Sequence, residues 1–384
     1  MSTVTPFTRP RRLAGRAAVL ACVLGGALSL VVPGLAGAAA PGGSLSKNLT
    51  STPSASLTGV GASSAQPFYG RVLYQYNQLN KKVTVTYSPA GSGPGVTAIE
   101  QQTASFGQSE VPMSAAELAL AKGPVLQVPV DLGGVAISYH VSGVKAGLKL
   151  SGPVLAQIYL RQITSWNAPA IAKLNPKVKL PKENIVPVYR ADTSGPGYDL
   201  DQYLIDTDPA WVTATGSPKA STTWPSAARA SGTAGVQLNS GVASYIKETE
   251  GSIGFIEYSY TSQSDIVNAA LLSKSKTYIA PSITSIAAAA VNAKSVSATN
   301  FSIIDGAGKS TYPLANFSWA LISQKQASTT AGEALGKLLQ WVITSGQAYS
   351  KALGYAPLPK SLVTLGHATL LKLETASGQP LFTS

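Results

Sequence analysis

The chain is poor in the residues on which most enzymes and metal proteins depend. It holds one cysteine, two histidines and two methionines in 384 residues. The cysteine, Cys22, lies in an N-terminal apolar stretch, so a chain cut after that stretch carries no thiol. Disulfides, thiolate metal sites and cysteine nucleophiles are then excluded. With histidine this scarce no metal-ligand cluster is visible, and a Ser–His–Asp arrangement would need His140 or His367 at a serine-bearing junction. His140 sits in the strand-like AISYHVSG and His367 in TLGHATLL, which read as packing or surface positions. We therefore expect a protein with no catalytic residues, no metal and no cofactor. Charge is also sparse, with 12% charged against 45% hydrophobic residues, too apolar for wholesale disorder and long enough for two packed lobes. Basic and aromatic residues do not interleave as on a nucleic-acid platform, so no nucleic-acid partner is expected.

What is present begins with an address. Arg9, Arg11, Arg12 and Arg16 precede the apolar run AAVLACVLGGALSLVVPGLAGA, and AGAAA at 36–40 offers small residues for cleavage. Residues 1–40 are expected to be a signal peptide cut near Ala38 to Ala40, which places the mature protein outside the cytoplasmic membrane. The run approaches spanning length, but its glycines, Pro33 and cleavage-like end favour removal over anchoring. VLAC around Cys22 resembles a lipoprotein site, yet only residues 17–21 separate it from Arg16 and most of the run follows it, so lipid anchoring is not expected. Arg11 and Arg12 leave both the general and the twin-arginine export routes open. Removal of the leader takes four basic residues and no acidic ones, leaving 25 against 17. That balance favours an anionic partner such as a small oxyanion, an anionic wall or a membrane surface.

Residues 41–56, PGGSLSKNLTSTPSAS, read as a flexible lead-in, with the folded region starting at Leu57. From there SLTGVG predicts a strand, AQPFYGRVLYQYNQL a helix, KVTVTYS a strand and GVTAIEQQTA a helix. VLQVPVDLGGVAISYHV predicts a pair of strands, SGPVLAQIYLRQITSW and APAIAKL predict helices, and NIVPVYRAD predicts another strand. Such alternation gives an α/β architecture with mainly parallel sheets, in which ligands bind beyond the carboxyl ends of the strands. The tryptophans, among them Trp166, Trp224 and Trp319, are expected to fill cores rather than recognise sugars.

Three strand-to-helix junctions share one chemistry. GVGASSAQPF puts Ser63 and Ser64 ahead of a helix, PAGSGPGVTAI puts Ser92 there, and ADTSGPGYDL puts Ser194 there. In each the serine stands where an N-cap would, among glycines that admit close backbone approach. Converging helix N-termini make an anion site without any metal, and Arg190 would add a cation suited to oxyanions, with Asp192 holding it in place. Taken singly, each serine reads equally well as an ordinary cap, and Arg190 with Asp192 as a structural ion pair. Asp199 and Asp201 read as complements to the dipole of a helix start.

These stretches, with FGQSEVPMS, GGVAISY, QITSWNAPAIAKLNP, GSIGFIEYSY and LGYAPLP in the same order, resemble the phosphate-binding proteins of high-affinity ABC importers, a branch of the periplasmic-binding-protein superfamily. The resemblance runs from Leu57 nearly to the C-terminus. It implies a two-lobed type II fold with hinge strands and an interdomain anion cleft: one lobe of 57–132 plus 312–384, the other of 133–311. It implies further that inorganic phosphate is held between the lobes by Ser63, Ser64, Ser92, Glu110, Arg190, Asp192, Ser194 and Gly195. A monomer that delivers its ligand to the permease subunits of an ABC transporter is the implied partner state.

Two departures bear on the ligand. Where the family usually has aspartate this chain has Glu110, one methylene longer, which otherwise reads as a carboxylate starting the next helix. A carboxylate facing an oxyanion tolerates it only if the anion donates a proton, which admits phosphate and rejects sulfate. Pro196 stands where the family commonly has a residue with a free N–H, so one donor is missing, while Ser64 adds a hydroxyl where phenylalanine is frequent. Another tetrahedral oxyanion, or an adhesive surface role reusing the fold, are the competing readings.

Overall fold

The computed structural model describes residues 45, 52–262, 264–292, 296–297 and 302–383. The expected signal peptide, with Cys22, and most of the expected lead-in lie outside the described residues. In chain order the first elements are β1 (Ala55–Gly61), α1 (Gln66–Leu79), β2 (Val83–Pro89), α2 (Ser92–Glu100), β3 (Phe106–Ser109), α3 (Ala115–Leu120) and β4 (Val125–Tyr139). The middle of the chain forms β5 (Lys149–Leu150), α4 (Gly152–Tyr159), α5 (Pro169–Leu174), β6 (Val186–Arg190), α6 (Gly195–Thr207), α7 (Pro209–Thr215), β7 (Ala234–Val236), α8 (Leu238–Glu248) and β8 (Ser252–Glu257). Three short strands, β9 (Val267–Asn268), β10 (Ala270–Leu272) and β11 (Tyr278–Ile279), lead to α9 (Ile283–Asn292). Then come β12 (Ala315–Ser323), β13 (Lys325–Gln326), α10 (Thr329–Val342), α11 (Lys360–Leu370) and β14 (Glu374–Thr375).

Local sequence explains the early elements. In α1 the buried Phe68, Tyr69, Val72, Leu73 and Tyr76 share one face at helical spacing, and Pro67 sits comfortably in the first turn. In β2 burial alternates along VTVT, as a half-covered strand requires. β1 takes in Ala55 and Ser56, which pair with Val83 and Thr84, so strand pairing reaches into the stretch whose composition suggests a lead-in.

The main sheet runs β2-β1-β3-β12-β4-β8-β6-β7, with β9 added on β4. β1 is parallel to β2 and β3, and β6 is parallel to β7 and β8; β12 and β4 run antiparallel between these two sets. The architecture is α/β, but the main sheet is mixed and not mainly parallel as the alternation suggested, because β12 and β4 run antiparallel through its middle and β9 pairs antiparallel with β4. Parallel pairing brings the carboxyl ends of β1, β2 and β3 to one edge, and the loops that leave them carry Ser63, Ser92 and Glu110.

One sequence expectation fails here. VLQVPVDLGGVAISYHV does not form two strands but the single 15-residue β4. Pro129 and the Gly133-Gly134 pair read as breakers, yet Pro129 lies beside a register shift at Ser318/Trp319, where a proline costs no ladder bond. At Gly133 a Cβ would stand 2.3 Å from Glu257 Oε1, and Gly134 N–H donates to that oxygen at 2.9 Å. The glycines serve a close approach, not a turn. β4 pairs with β12 up to Gly134 and with β8 from Val135 onward.

Two helices also end differently from their pattern. α2 starts earlier, at Ser92, and stops at Glu100, followed by Gln102 at φ 57°. α4 stops at Tyr159 ahead of Arg161 at φ 60°, and Trp166 lies beyond the helix, its Nε1 donating to Gly251 O at 3.0 Å.

Trp166, Trp224 and Trp319 are buried, as expected. Trp224 packs 4.8 Å from Phe255 and 5.0 Å from Tyr159 between ring centroids, while Tyr69 lies 4.6 Å from Tyr87 and 5.6 Å from Phe106. Aromatic pairs at these separations add about 0.5–1.5 kcal/mol beyond burial.

Gly61 closes β1 at φ 146°, where a Cβ would meet Gln108 O at 2.2 Å and Gln108 N at 2.7 Å. Both neighbours are backbone, so neither can swing aside. Gly61→Ala is expected to cost roughly 2–4 kcal/mol, read as a lower urea midpoint with unchanged slope. An unchanged midpoint would show that this edge of the sheet yields freely.

Candidate functional site

Ser63 and Ser64 lie in a single 3-10 turn, Ser63–Ala65, between β1 and α1, and both are buried. Ser63 Oγ accepts from Asn239 N at 3.2 Å and from Asn239 Nδ2 at 3.0 Å, which leaves its own proton to donate. The Ser63 carbonyl accepts from Tyr260 OH at 2.7 Å, and the Ser64 carbonyl accepts from Tyr355 OH. These contacts tie the β1–α1 loop to residues from the chain's distant second half. Ser64 Oγ makes no protein hydrogen bond of normal geometry.

Of the expected N-caps only Ser194 is one. Its Oγ accepts from Gly197 N at 3.1 Å at the head of α6. Ser63 and Ser64 lie inside their turn, and Ser92 is the first residue of α2, whose cap is Gly91 at φ 102°. A glycine at positive φ turns the chain more sharply than a serine can, so the serine is carried into the helix and its hydroxyl is released from capping. Ser92 Oγ is buried and bonded to no protein group.

Arg190 ends β6 with its side chain 1% exposed. Its Nε donates to Asp192 Oδ1 at 2.7 Å and its Nη2 donates to Asp192 Oδ2, the fork-on-carboxylate geometry. Asp192 Oδ1 also accepts from Leu238 N at 3.1 Å, which anchors the start of α8. Arg190 Nη1 has no protein acceptor, so one N–H arm of a buried cation is free. The loop after it meets the head of α2: a Cβ at Gly93 would lie 2.3 Å from Thr193 Oγ1, and one at Gly91 would lie 2.7 Å from Thr193 O. Pro196 occupies the first turn of α6 and supplies no N–H there.

Glu110 follows β3 and is buried. It caps no helix: α3 is capped by Ser114, reciprocally with Glu117. Instead Glu110 lies across the first residue of α6, where a Cβ at Gly195 would stand 2.2 Å from its Oε2 and 2.5 Å from its Cβ. Only glycine fits between the two. Glu110 Oε1 accepts from Asn316 Nδ2 at 2.8 Å, while Oε2 has no protein donor of normal geometry, the Ser64 hydroxyl being the donor that acts on this carboxyl. Burial raises its pKa well above the ordinary carboxyl value, Asp199 and Asp131 raise it further, and Ser64 and Arg190 pull it down.

The structure sets the expected residues on two groups of junctions, Ser63, Ser64, Ser92 and Glu110 after β1, β2 and β3, and Arg190, Asp192, Ser194 and Gly195 between β6 and α6, which meet where Gly195 lies against Glu110 and Thr193 against Gly91 and Gly93. It adds others that sequence reasoning missed. Asp131, Asp199 and Glu257 are buried around Glu110 and affect one another's protonation. Burial lifts Asp131 to about 7, offset in part by the hydrogen bond from Ser318. Burial also raises Asp199, and raises Glu257 with help from Glu110. Asn239 joins two of these layers, donating to Ser63 Oγ and accepting from Glu257 N at 2.9 Å. The signal available in the sequence was a lone carboxylate inside an apolar strand, VPVDLGG and SIGFIEY, since such a group stays only where something partners it.

Asp199 and Asp201 are not complements to a helix dipole, as their spacing suggested. Both are buried beyond the first turn of α6: Asp199 Oδ2 accepts from Asn316 Nδ2 at 2.8 Å, and Asp201 accepts from Trp211 Nε1 at 2.8 Å and Ser221 N at 3.0 Å. The histidines stand apart from the serine junctions, His140 Nδ1 against Ile246 O and His367 Nδ1 against Gln340 Oε1, each at 2.9 Å. Among the described residues no group of carboxylates, histidines or cysteines is arranged to hold a metal ion, and no helix is long and apolar enough to cross a membrane.

The arrangement offers helix heads, hydroxyls and a free guanidinium arm to an anion, and a carboxyl to a proton. Known proteins carry the same frame. Residues 47–345 match the model of the PBP superfamily domain. The phosphate-binding protein PstS of Pasteurella multocida is 35% identical over 317 residues, 81% of this chain and 89% of that protein. PstS of Xylella fastidiosa is 32% identical over 315 residues, 81% of this chain and 84% of that protein. A high-affinity periplasmic phosphate-binding protein solved with phosphate bound superposes with a TM-score of 0.65 at 19% identity, covering 82% of this chain and 93% of that one. The phosphate-binding protein of Stenotrophomonas maltophilia gives 0.63 at 18%, covering 82% and 94%, and both likenesses carry the two-lobed fold. The chain belongs to the PBP superfamily and, within it, to the family of the phosphate-binding protein PstS.

Proposed function

We propose that this protein is an extracytoplasmic receptor that captures inorganic phosphate between two lobes and delivers it to the permease of an ABC importer. The observation that carries the proposal is a set of buried side-chain atoms left without a protein hydrogen bond of normal geometry: Ser92 Oγ, Arg190 Nη1, and Ser64 Oγ with Glu110 Oε2, of which Ser64 still acts on the Glu110 carboxyl. Buried polar groups are rarely left so, and four donors and acceptors of this kind suit a tetrahedral anion carrying a proton. Arg190 supplies charge and Asp192 fixes the guanidinium. The hydroxyls of Ser63 and Ser194, each already accepting, keep a proton for the ligand, and Gly195 lets α6 approach it. Binding needs no nucleophile and no base, so the protein acts as a carrier and not as an enzyme. We assign residues 57–132 with 312–384 to one lobe and 133–311 to the other, in keeping with the change of partner along β4 at Gly134/Val135. β4 and β12 then serve as hinge strands, and closure on the anion is the loaded signal read by the permease. Residues 1–40 are the leader, and the exported chain works as a monomer free of lipid.

Titration calorimetry of the chain without its leader, with phosphate, arsenate and sulfate in turn, tests this reading. Micromolar or tighter phosphate binding with sulfate silent is expected at about pH 8.5, and silence toward phosphate would redirect the search to another oxyanion or a surface role. Glu110→Gln removes the carboxylate that only accepts and presents an amide that also donates. The phosphate-to-sulfate preference is expected to fall at least about tenfold, since a hydrogen bond to a charged group is worth about 1.5–3 kcal/mol. An unchanged preference would remove Glu110 from the selection.

A further inference from the structure

We propose that Asp199 is a positioning and specificity-determining residue: through the amide of Asn316 it holds the Glu110 carboxyl on the head of α6, and by sharing protons with it decides whether Glu110 meets an oxyanion as acceptor or as donor. The proposal rests on the reading of Glu110 as the carboxyl that faces the anion.

The geometry is a bridge. Asn316 Nδ2 has two hydrogens and spends both, one on Glu110 Oε1 and one on Asp199 Oδ2, each at 2.8 Å. The three residues come from the end of β3, from β12 and from α6, and all are buried. The two carboxyl oxygens therefore lie within twice that distance of one another, with one neutral amide between them. Two buried carboxylates so placed do not both ionise easily, and one proton serves the pair. A cavity of about 140 Å³ runs alongside, lined by both carboxyls, Asn316, Tyr198 and Phe317. It is roomy enough for water and hence for proton exchange.

The consequence is selective. Ionised, Glu110 Oε2 admits only an anion that brings a proton. Protonated, it donates and accepts sulfate as readily as phosphate. The charge on Asp199 delays the ionisation of Glu110 to higher pH and so sets where selection begins. The other titratable or charged groups facing the pair are Asp131 from β4, Glu257 from β8, Arg190 from β6, and Tyr87, Tyr260 and Tyr198. Asp131 and Glu257 act in the same direction as Asp199, Arg190 acts against it, and none of them shares the amide.

The test uses sulfate as probe, because sulfate itself does not titrate between pH 5 and 9. In the chain without its leader, sulfate affinity is expected to fall by up to tenfold per pH unit above a transition. In Asp199→Asn, which keeps size and polarity, that transition is expected to move down by roughly one pH unit. Asp199→Ser, with a smaller acceptor for Asn316, should show the same movement if the amide variant folds poorly. A variant that weakens sulfate equally at every pH, with the transition unmoved, overturns the role of Asp199 and leaves Glu110 as the proton sensor. A transition that persists in Glu110→Gln overturns both, since the titrating group would then lie elsewhere.

Discussion

Replacing Arg190 by alanine is expected to abolish high-affinity anion binding, with a loss of at least about a hundredfold. The side chain is fully buried, two of its arms are fixed on Asp192, and Nη1 alone is uncommitted. A charge-assisted hydrogen bond in such a setting contributes about 1.5–3 kcal/mol, and removing the cation leaves the remaining buried carboxyl cluster without its counterweight. Arg190→Lys keeps the charge but cannot hold Asp192 by two parallel bonds while reaching forward with a third donor. Its affinity is expected to fall between those of the native protein and the alanine variant. Calorimetry with phosphate reads the effect, and a melting curve on each variant separates lost binding from lost fold. Binding within threefold of the native value in a folded Arg190→Ala protein would place the anion elsewhere.

The second large effect is on stability. In buffer free of binding anions, the protein is expected to lose stability as pH rises from about 4 to 8. Asp131 has its folded pKa raised to about 7 by burial, against 3.8 unperturbed, and Glu110, Asp199 and Glu257 are raised as well. A carboxyl with a raised folded pKa binds more protons folded than unfolded. Its contribution is complete below the unfolded pKa and disappears as pH climbs through the folded one. At about 1.4 kcal/mol per unit, Asp131 alone accounts for on the order of 4 kcal/mol. Asp131→Asn, which keeps the hydrogen-bonding position against Ser318, should flatten part of the slope. A melting temperature that stays level or rises across this window would mean that these groups ionise where they are. The same protonation makes an anion site tolerable: four ionised carboxylates around one arginine would repel the ligand that the helix heads attract.

Much of this molecule was legible as local pattern. The alternation of strand and helix, the serines at the strand ends and Arg190 beside Asp192 follow from short stretches read one at a time, whereas Glu110 in FGQSEVP is singled out by the family resemblance and reads locally as a carboxylate starting the next helix. Where local reading failed, the cause is traceable. Pro129 and Gly133-Gly134 look like a turn when only neighbours in sequence are considered, and become a continuous strand once β12 supplies a bulge and Glu257 needs room. Ser92 looks like a cap until Gly91 takes that place.

By itself, then, the sequence determined the alternation of strand and helix, the α/β class and which residues stand at each junction, because these depend on propensity and periodicity within a few residues. Only the tertiary structure decided that Glu110, Asp131, Asp199 and Glu257 would be buried near enough to act on one another's protonation, and that one amide would serve two of them. Asn316 lies 206 residues from Glu110 and 117 from Asp199. A charge state set by such neighbours cannot be read from any window of the chain, because burial and Coulomb coupling depend on distance in space and not along the backbone.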